Sequence, residues 1–165
     1  MEALVVRYGV IAILLGSGIE GEPFALAGGV LAHQGLIPRW QAAGAAVIGS
    51  CLVDQLWFHL ARYFRASRPV ASVSRRPAFA RAMAVLERHP VWFVLLFRFA
   101  YGLRAVAPVA IGASRISERL FVPVNLVAAL LWGLLFTAAG YLAGPAIESL
   151  AQRFGPELTV GVVLV

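Results

Sequence analysis

Among the ionisable side chains in or beside apolar runs, five could do chemistry: Glu20, Glu22, Asp54, Arg98 and Arg104. A charge at the centre of a bilayer costs about 2.5–3.5 kcal/mol on insertion scales, so such residues are held there by pairing or by function. Arg98 and Arg104 have the clearest chemistry. Arginine stays protonated and meets phosphate oxygens with a planar fork of N–H donors. Two of them at membrane depth suit the phosphate head group of a lipid. On a straight helix their spacing turns them to different faces, whereas a break at Gly102 brings both toward one pocket. Glu20, Glu22 and Asp54 are the groups whose charge can change. Burial favours their neutral form and a neighbouring arginine favours the carboxylate. One use of this is proton uptake while lipid moves; the other is purely structural, with ion pairs tying two hairpins together.

Other chemistries find less support. His33, His59 and His89 lack the spacing of metal ligands. The single cysteine, Cys51, sits among Ile48, Leu52 and Val53. It excludes an intramolecular disulfide and a multi-cysteine metal site, and it reads as a small buried hydrophobe. The serines have no neighbouring His/Asp pattern for nucleophilic catalysis. A membrane enzyme acting on lipid phosphates is therefore disfavoured, and no catalytic residue, metal or cofactor is called for. The arginines between residues 62 and 81 suit nucleic acid as well as lipid, but they lie beside a candidate span, where anionic lipid is the simpler partner.

The elements that must position these residues follow from composition. The 165 residues are 61% hydrophobic and 13% charged, whereas a soluble domain is roughly 45–50% apolar and about 25% charged. This excludes an ordinary soluble domain and a disordered chain. All 14 cations are arginine, and the net charge is +6. A hydrocarbon core about 30 Å thick asks for about 20 apolar residues per spanning helix. Residues 3–19 form a first span, retained because Glu2 spoils the basic start of a signal peptide. Residues 23–36 are apolar but too short to span, and hold Gly28, Gly29 and Gly35; they read as re-entrant or interfacial. Residues 40–60 make a span containing Asp54. Residues 61–89 carry seven arginines against Glu87, with Phe79, Met83 and Leu86 on one face of a surface amphipathic helix. Residues 91–113 are apolar but interrupted by Arg98, Gly102, Arg104 and Pro108, which predicts a broken helix or re-entrant hairpin. Residues 121–144 form a charge-free span with a small-residue stripe at Ala129, Gly133 and Thr137 and a Gly140-x-x-x-Gly144 pair. A polar connector over 145–157 leads to residues 158–165, the start of a further span.

The arginine-rich segments 61–89 and 114–119 belong in the cytoplasm by the positive-inside rule. Arg39 and Arg153 then lie outside. Segments 23–36 and 91–113 must each enter and leave on one side. Both are followed by a full span, and an offset of 84 residues lays Gly28 on Gly112 and Gly49 on Gly133. This is the pattern of an inverted repeat with a site near the midplane. Trp40, Trp57, Trp92 and Trp132 are read as interface anchors. The expected fold is an all-α, polytopic integral membrane protein with about four transmembrane helices and two re-entrant hairpins. Residues 1–165 form one membrane domain, with repeat halves of about 20–60 and 91–144 around the cytoplasmic segment.

These residues also carry a resemblance. Glu20-Gly21-Glu22 followed by Ala27-Gly28-Gly29 is similar to the Pro-Gly-Glu hairpin of the DedA family, also called SNARE-associated or VTT-domain proteins. Gly49, Asp54, Phe58 and Ala61-Arg62 resemble its Gly…Gly-Asp…Tyr…Gly-Arg pattern. Arg98-Phe-Ala-Tyr-Gly-Leu-Arg104 resembles Arg-Phe-x-Pro-Gly-x-Arg, and Pro108, Gly112, Phe121, Asn125, Trp132 and Gly140-Tyr141 follow in family order. The chain departs from the pattern at Glu20 and Tyr101, where the family has proline, and at Ala61, where it has glycine. A further family acid upstream of the first hairpin has no counterpart. The resemblance implies two re-entrant hairpins meeting in the bacterial cytoplasmic membrane and translocation of lipid, including undecaprenyl phosphate. It gives Arg98 and Arg104 the head group and Glu22 the role of the hairpin acid. The expected activity is a flippase for a phosphate-bearing lipid, with Glu20, Glu22 and Asp54 gating or coupling to protons. The expected partners are that lipid and the membrane, with a second copy of the chain allowed and nucleic acid not expected. A passive scramblase and a proton-coupled small-solute transporter are the alternatives.

Overall fold

The computed structural model describes residues 2–64, 77, 83, 84, 86, 88–99, 104, 106–114 and 116–154. Every regular element among them is helical: α1 (Glu2–Ile19), α2 (Glu22–His33), α3 (Arg39–Tyr63), α4 (Pro90–Leu96), α5 (Ala107–Ala113) and α6 (Glu118–Phe154). A 3-10 turn, Phe97–Phe99, continues α4. By length and composition α3 and residues Glu118–Ser149 of α6 can cross a membrane. The 12 residues of α2 and the 7 each of α4 and α5 fall well short of the about 20 that a span needs.

Local chemistry sets these ends. Pro23, Pro90 and Pro108 occupy the first turns of α2, α4 and α5, where a missing N–H removes no helical bond and φ is already suitable. Gly21 precedes α2 with φ 86°. Gly35 follows it with φ 74°, closing a Schellman turn: Leu36 N–H donates to the Leu31 carbonyl at 3.1 Å and Gly35 N–H to that of Ala32 at 3.3 Å. That turn ends α2 and lets α3 begin at once.

Two compact units emerge, Met1–Ser50 with Leu131–Val165, and Cys51–Leu130; α3 and α6 contribute residues to both. In the first, the core is Ile13, Ala25, Ala32, Ile37, Ala42, Ala45, Ala46 and Trp132. Its many alanines let backbones approach closely. A β-carbon at Gly29 would overlap the backbone of Thr137, Gly140 and Tyr141, one at Gly140 would overlap Leu26, and one at Gly133 would strike Val47. The small-residue stripe of α6 is thus a helix-packing surface. In the second unit, Phe58, Leu86, Phe93, Val94, Phe97, Ala107, Ile111 and Phe121 form the core, with Phe58 and Phe121 stacked at 4.1 Å.

Polarity is inverted relative to a soluble protein. In the first unit Ser17, Ser50 and Thr137 are buried while Tyr8, Ile11, Leu15, Leu134, Leu135 and Leu142 are exposed. In the second, Asp54, Arg98, Ser114 and Asn125 are buried while Leu52, Leu56, Leu126, Val127 and Leu130 are exposed. Polar groups facing protein and large aliphatic groups facing outward suit a hydrocarbon solvent.

Four sequence expectations change or narrow. The connector over 145–157 is helical through Phe154; Ala143, Ala146, Glu148, Leu150, Ala151 and Gln152 are strong helix formers and outweigh Pro145. Trp132 is not an interface anchor but lies at 0% exposure in the first core, whereas Trp40, Trp57 and Trp92 are exposed. Of the amphipathic segment, Leu86 is buried in the second core with Met83 packed on it; Phe79 and most of that stretch lie outside the described residues. Gly102, Tyr101 and residues 158–165 lie outside them too.

Candidate functional site

The second unit gathers charge around Arg98. The 3-10 turn after α4 places this side chain inward, between Phe97 and Phe99, at 2% exposure. Its Nη2 stands 2.5 Å from Asp54 Oδ2, Asp54 being buried on α3. The same nitrogen donates to Asn125 Oδ1 at 3.0 Å, from α6. Arginine offers only donors, so the amide must turn its oxygen to it. Asn125 Nδ2 then points to Cys51 Sγ at 3.9 Å. One guanidinium edge thus joins α3, α6 and the turn after α4. Breaking such a buried pair by removing one partner costs about 3–5 kcal/mol, because the other charge is left uncompensated.

Arg104 lies half-buried in the turn before α5, within electrostatic reach of both Asp54 and Arg98. Arg98 sits in the 3-10 turn Phe97–Phe99 and Arg104 in a turn ahead of α5. The three groups sum to one positive charge, the sign that recruits an anion.

Arg62 holds the frame of this site. From the last turn of α3 its Nε donates to the Gly112 carbonyl at 2.8 Å and its Nη2 to the Ile116 carbonyl; its guanidinium also covers the Phe58 ring at 4.9 Å. These acceptors lie at and just beyond the C-terminal end of α5, where carbonyls lack helical partners and the helix dipole favours a cation. Ser114 completes the cap, its Oγ donating to Ile111 O at 2.6 Å and accepting the Ile116 N–H at 3.1 Å. Gly112 permits the close seat, since a β-carbon there would overlap the Phe58 carbonyl.

Of the five ionisable residues singled out from sequence, Asp54, Arg98 and Arg104 therefore belong to the second unit, with Asp54 and Arg98 in direct contact. Glu20 and Glu22 belong to the first unit. Glu20 is exposed after α1, and Glu22 opens α2 half-buried, where a carboxylate faces the positive end of the helix dipole. Sequence reasoning placed two further residues, Asn125 and Arg62, in the family pattern and gave neither a part in the site. Asn125 is the sole asparagine of the chain and a polar side chain in a charge-free apolar span; that isolation was its signal. Arg62 was counted among the cytoplasmic cations and in the family pattern, without a structural role.

Helices with apolar exteriors, polar interiors and a buried ion pair define an integral membrane protein. Residues 19–142 match the VTT domain family. The chain is 35% identical over 165 residues to the inner membrane protein YohD of Escherichia coli K12, covering 100% of this chain and 86% of that protein. It is 32% identical over 126 residues to protein DedA of the same organism, covering 73% of this chain and 54% of DedA. It is 30% identical over 129 residues to the membrane protein ML0287 of Mycobacterium leprae, covering 76% and 58% respectively. No solved structure matches it. The chain belongs to the VTT-domain, or DedA, family of membrane proteins and is an inner-membrane protein. None of the names of these relatives is that of an enzyme.

Proposed function

We propose that the chain is a lipid transporter and not an enzyme, moving a phosphate-bearing lipid such as undecaprenyl phosphate or a phospholipid between leaflets. The observation that carries this reading is the buried Asp54–Arg98–Asn125 cluster with Arg104 nearby. Arg98 and Arg104 take the phosphate with planar, charge-assisted hydrogen bonds. Asp54 occupies the edge of Arg98 that a phosphate oxygen would use, so the two anions compete for one guanidinium. Protonating Asp54 releases Arg98 to the lipid, and deprotonation returns Arg98 to Asp54 and expels the lipid. Glu20 and Glu22 tune or gate the passage. Segments 23–36 and 91–113 are re-entrant, consistent with the shortness of α2, α4 and α5, and the arginine-rich segments 61–89 and 114–119 face the cytoplasm.

The test is transport of labelled phosphate lipid by the full chain in proteoliposomes, with and without a pH gradient. Arg98→Gln and Arg104→Gln should each lower transport at least tenfold in protein that remains folded by circular dichroism and elutes as the parent does. Unchanged transport in both would remove the assignment. Equal movement of phosphate and neutral lipids, indifferent to pH, identifies a passive scramblase instead; solute flux without lipid identifies a solute transporter.

A further inference from the structure

The first unit holds a cavity of about 440 Å³ beside the start of α3, in the roughly 300–1,000 Å³ range of small-ligand sites. Leu134, Ala138 and Leu142 line it at helical spacing from one face of α6, and Leu134 and Leu142 are exposed. Arg39 and Trp40, the first residues of α3, line it as well. Trp40 is 74% exposed. The Arg39 guanidinium lies 5.4 Å from the centre of the Tyr141 ring, a cation–π seat that holds the charge in place. Among the described residues no carboxylate forms an ion pair with Arg39. Thr137, 6% exposed, also lines the cavity, and its hydroxyl has no hydrogen-bond partner among the described residues.

We propose that this cavity is a second lipid site that binds an anionic phospholipid. Arg39 takes the phosphate, Trp40 lies at head-group level, and an acyl chain runs along Leu134, Ala138 and Leu142. An arginine and an exposed tryptophan at the end of a spanning helix have the chemistry of the membrane interface. The apolar wall suits an acyl chain and gives a small soluble anion nothing to bind. Arg39 gives an anionic lipid an advantage that a neutral one lacks. The site shares no residue with the Asp54–Arg98 cluster, so it stands or falls independently of the transport reading.

The experiment uses Trp40 as a local reporter. The full chain is placed in phosphatidylcholine vesicles containing increasing fractions of phosphatidylglycerol with brominated acyl chains, and fluorescence quenching is compared with that of Trp40→Phe. The difference isolates Trp40 from Trp57, Trp92 and Trp132. Quenching of Trp40 should saturate at a phosphatidylglycerol fraction at least tenfold below that needed with brominated phosphatidylcholine. Arg39→Gln should move this midpoint up about tenfold, Arg39→Lys only a few-fold, and Ala138→Phe should fill the cavity and reduce quenching by both lipids. Arg39 and Ala138 are exposed, so these variants leave the core intact. Equal midpoints for parent and Arg39→Gln overturn the proposal. So does efficient disulfide cross-linking of Leu142→Cys between two copies with loss of quenching, which makes a second copy the occupant.

Discussion

Arg98 Nη2 lies 2.5 Å from Asp54 Oδ2 with both residues buried, so the guanidinium best suited to a lipid phosphate is already engaged by a carboxylate. On the proposed transport reading, Asp54 and the lipid phosphate compete for this one guanidinium, so the strength of the pair should set both stability and turnover.

Asp54→Ala should therefore destabilise the protein by about 3–5 kcal/mol, the usual cost of stranding a buried charge. Thermal unfolding in detergent checks this. Asp54→Asn keeps the shape and removes the charge. It should cost less, tighten phosphate-lipid binding and slow transport, because nothing displaces the bound phosphate. Transport that depends on pH in the parent should lose that dependence in this variant.

Asn125→Leu removes the neutral partner of Arg98. A hydrogen bond to a charged group contributes about 1.5–3 kcal/mol, and a loss of that size is expected in the same unfolding measurement. Asn125→Asp adds a second carboxylate at Arg98 and should suppress phosphate-lipid binding in a flotation assay.

Arg62→Ala should loosen the seat of α5 without touching Arg98. The carbonyls of Gly112 and Ile116 lose their donor, so hydrogen exchange over 107–117 should accelerate more than over 121–130. Arg62→Lys restores charge but not the two-pronged grip, and should recover only part of the protection.

Gly29→Val should cost about 1–3 kcal/mol or prevent assembly, since overpacking forces backbones apart and the β-carbon would overlap α6. Gly44→Ala is the control. Nothing lies within 4 Å of a β-carbon there, and Ala is the better helix former by about 1 kcal/mol, so a higher melting temperature is expected.

Much of this was legible in the amino-acid order. Run lengths of apolar residues marked α1, α3 and α6 as long helices and 23–36 as too short to span, and Arg98, Gly102, Arg104 and Pro108 marked 91–113 as interrupted. Arg98, Arg104 and Asp54 stood out because charge in an apolar run must be explained. Glycine spacing on α6 identified a packing face, though not its partner residues.

The sequence alone thus determined solvent, the apolar segments and charge sign, because these follow from periodicity and transfer energies that act locally. Tertiary structure decided which charges meet. Arg98 bonds to Asn125 27 residues away and Arg62 to Gly112 50 residues away, separations at which no helical period carries information. It also moved Trp132 from the interface to the core, since the small residues of α2 and α3 leave room for a large ring that hydropathy cannot see. Pairing and packing are properties of the folded neighbourhood, and only the fold supplies them.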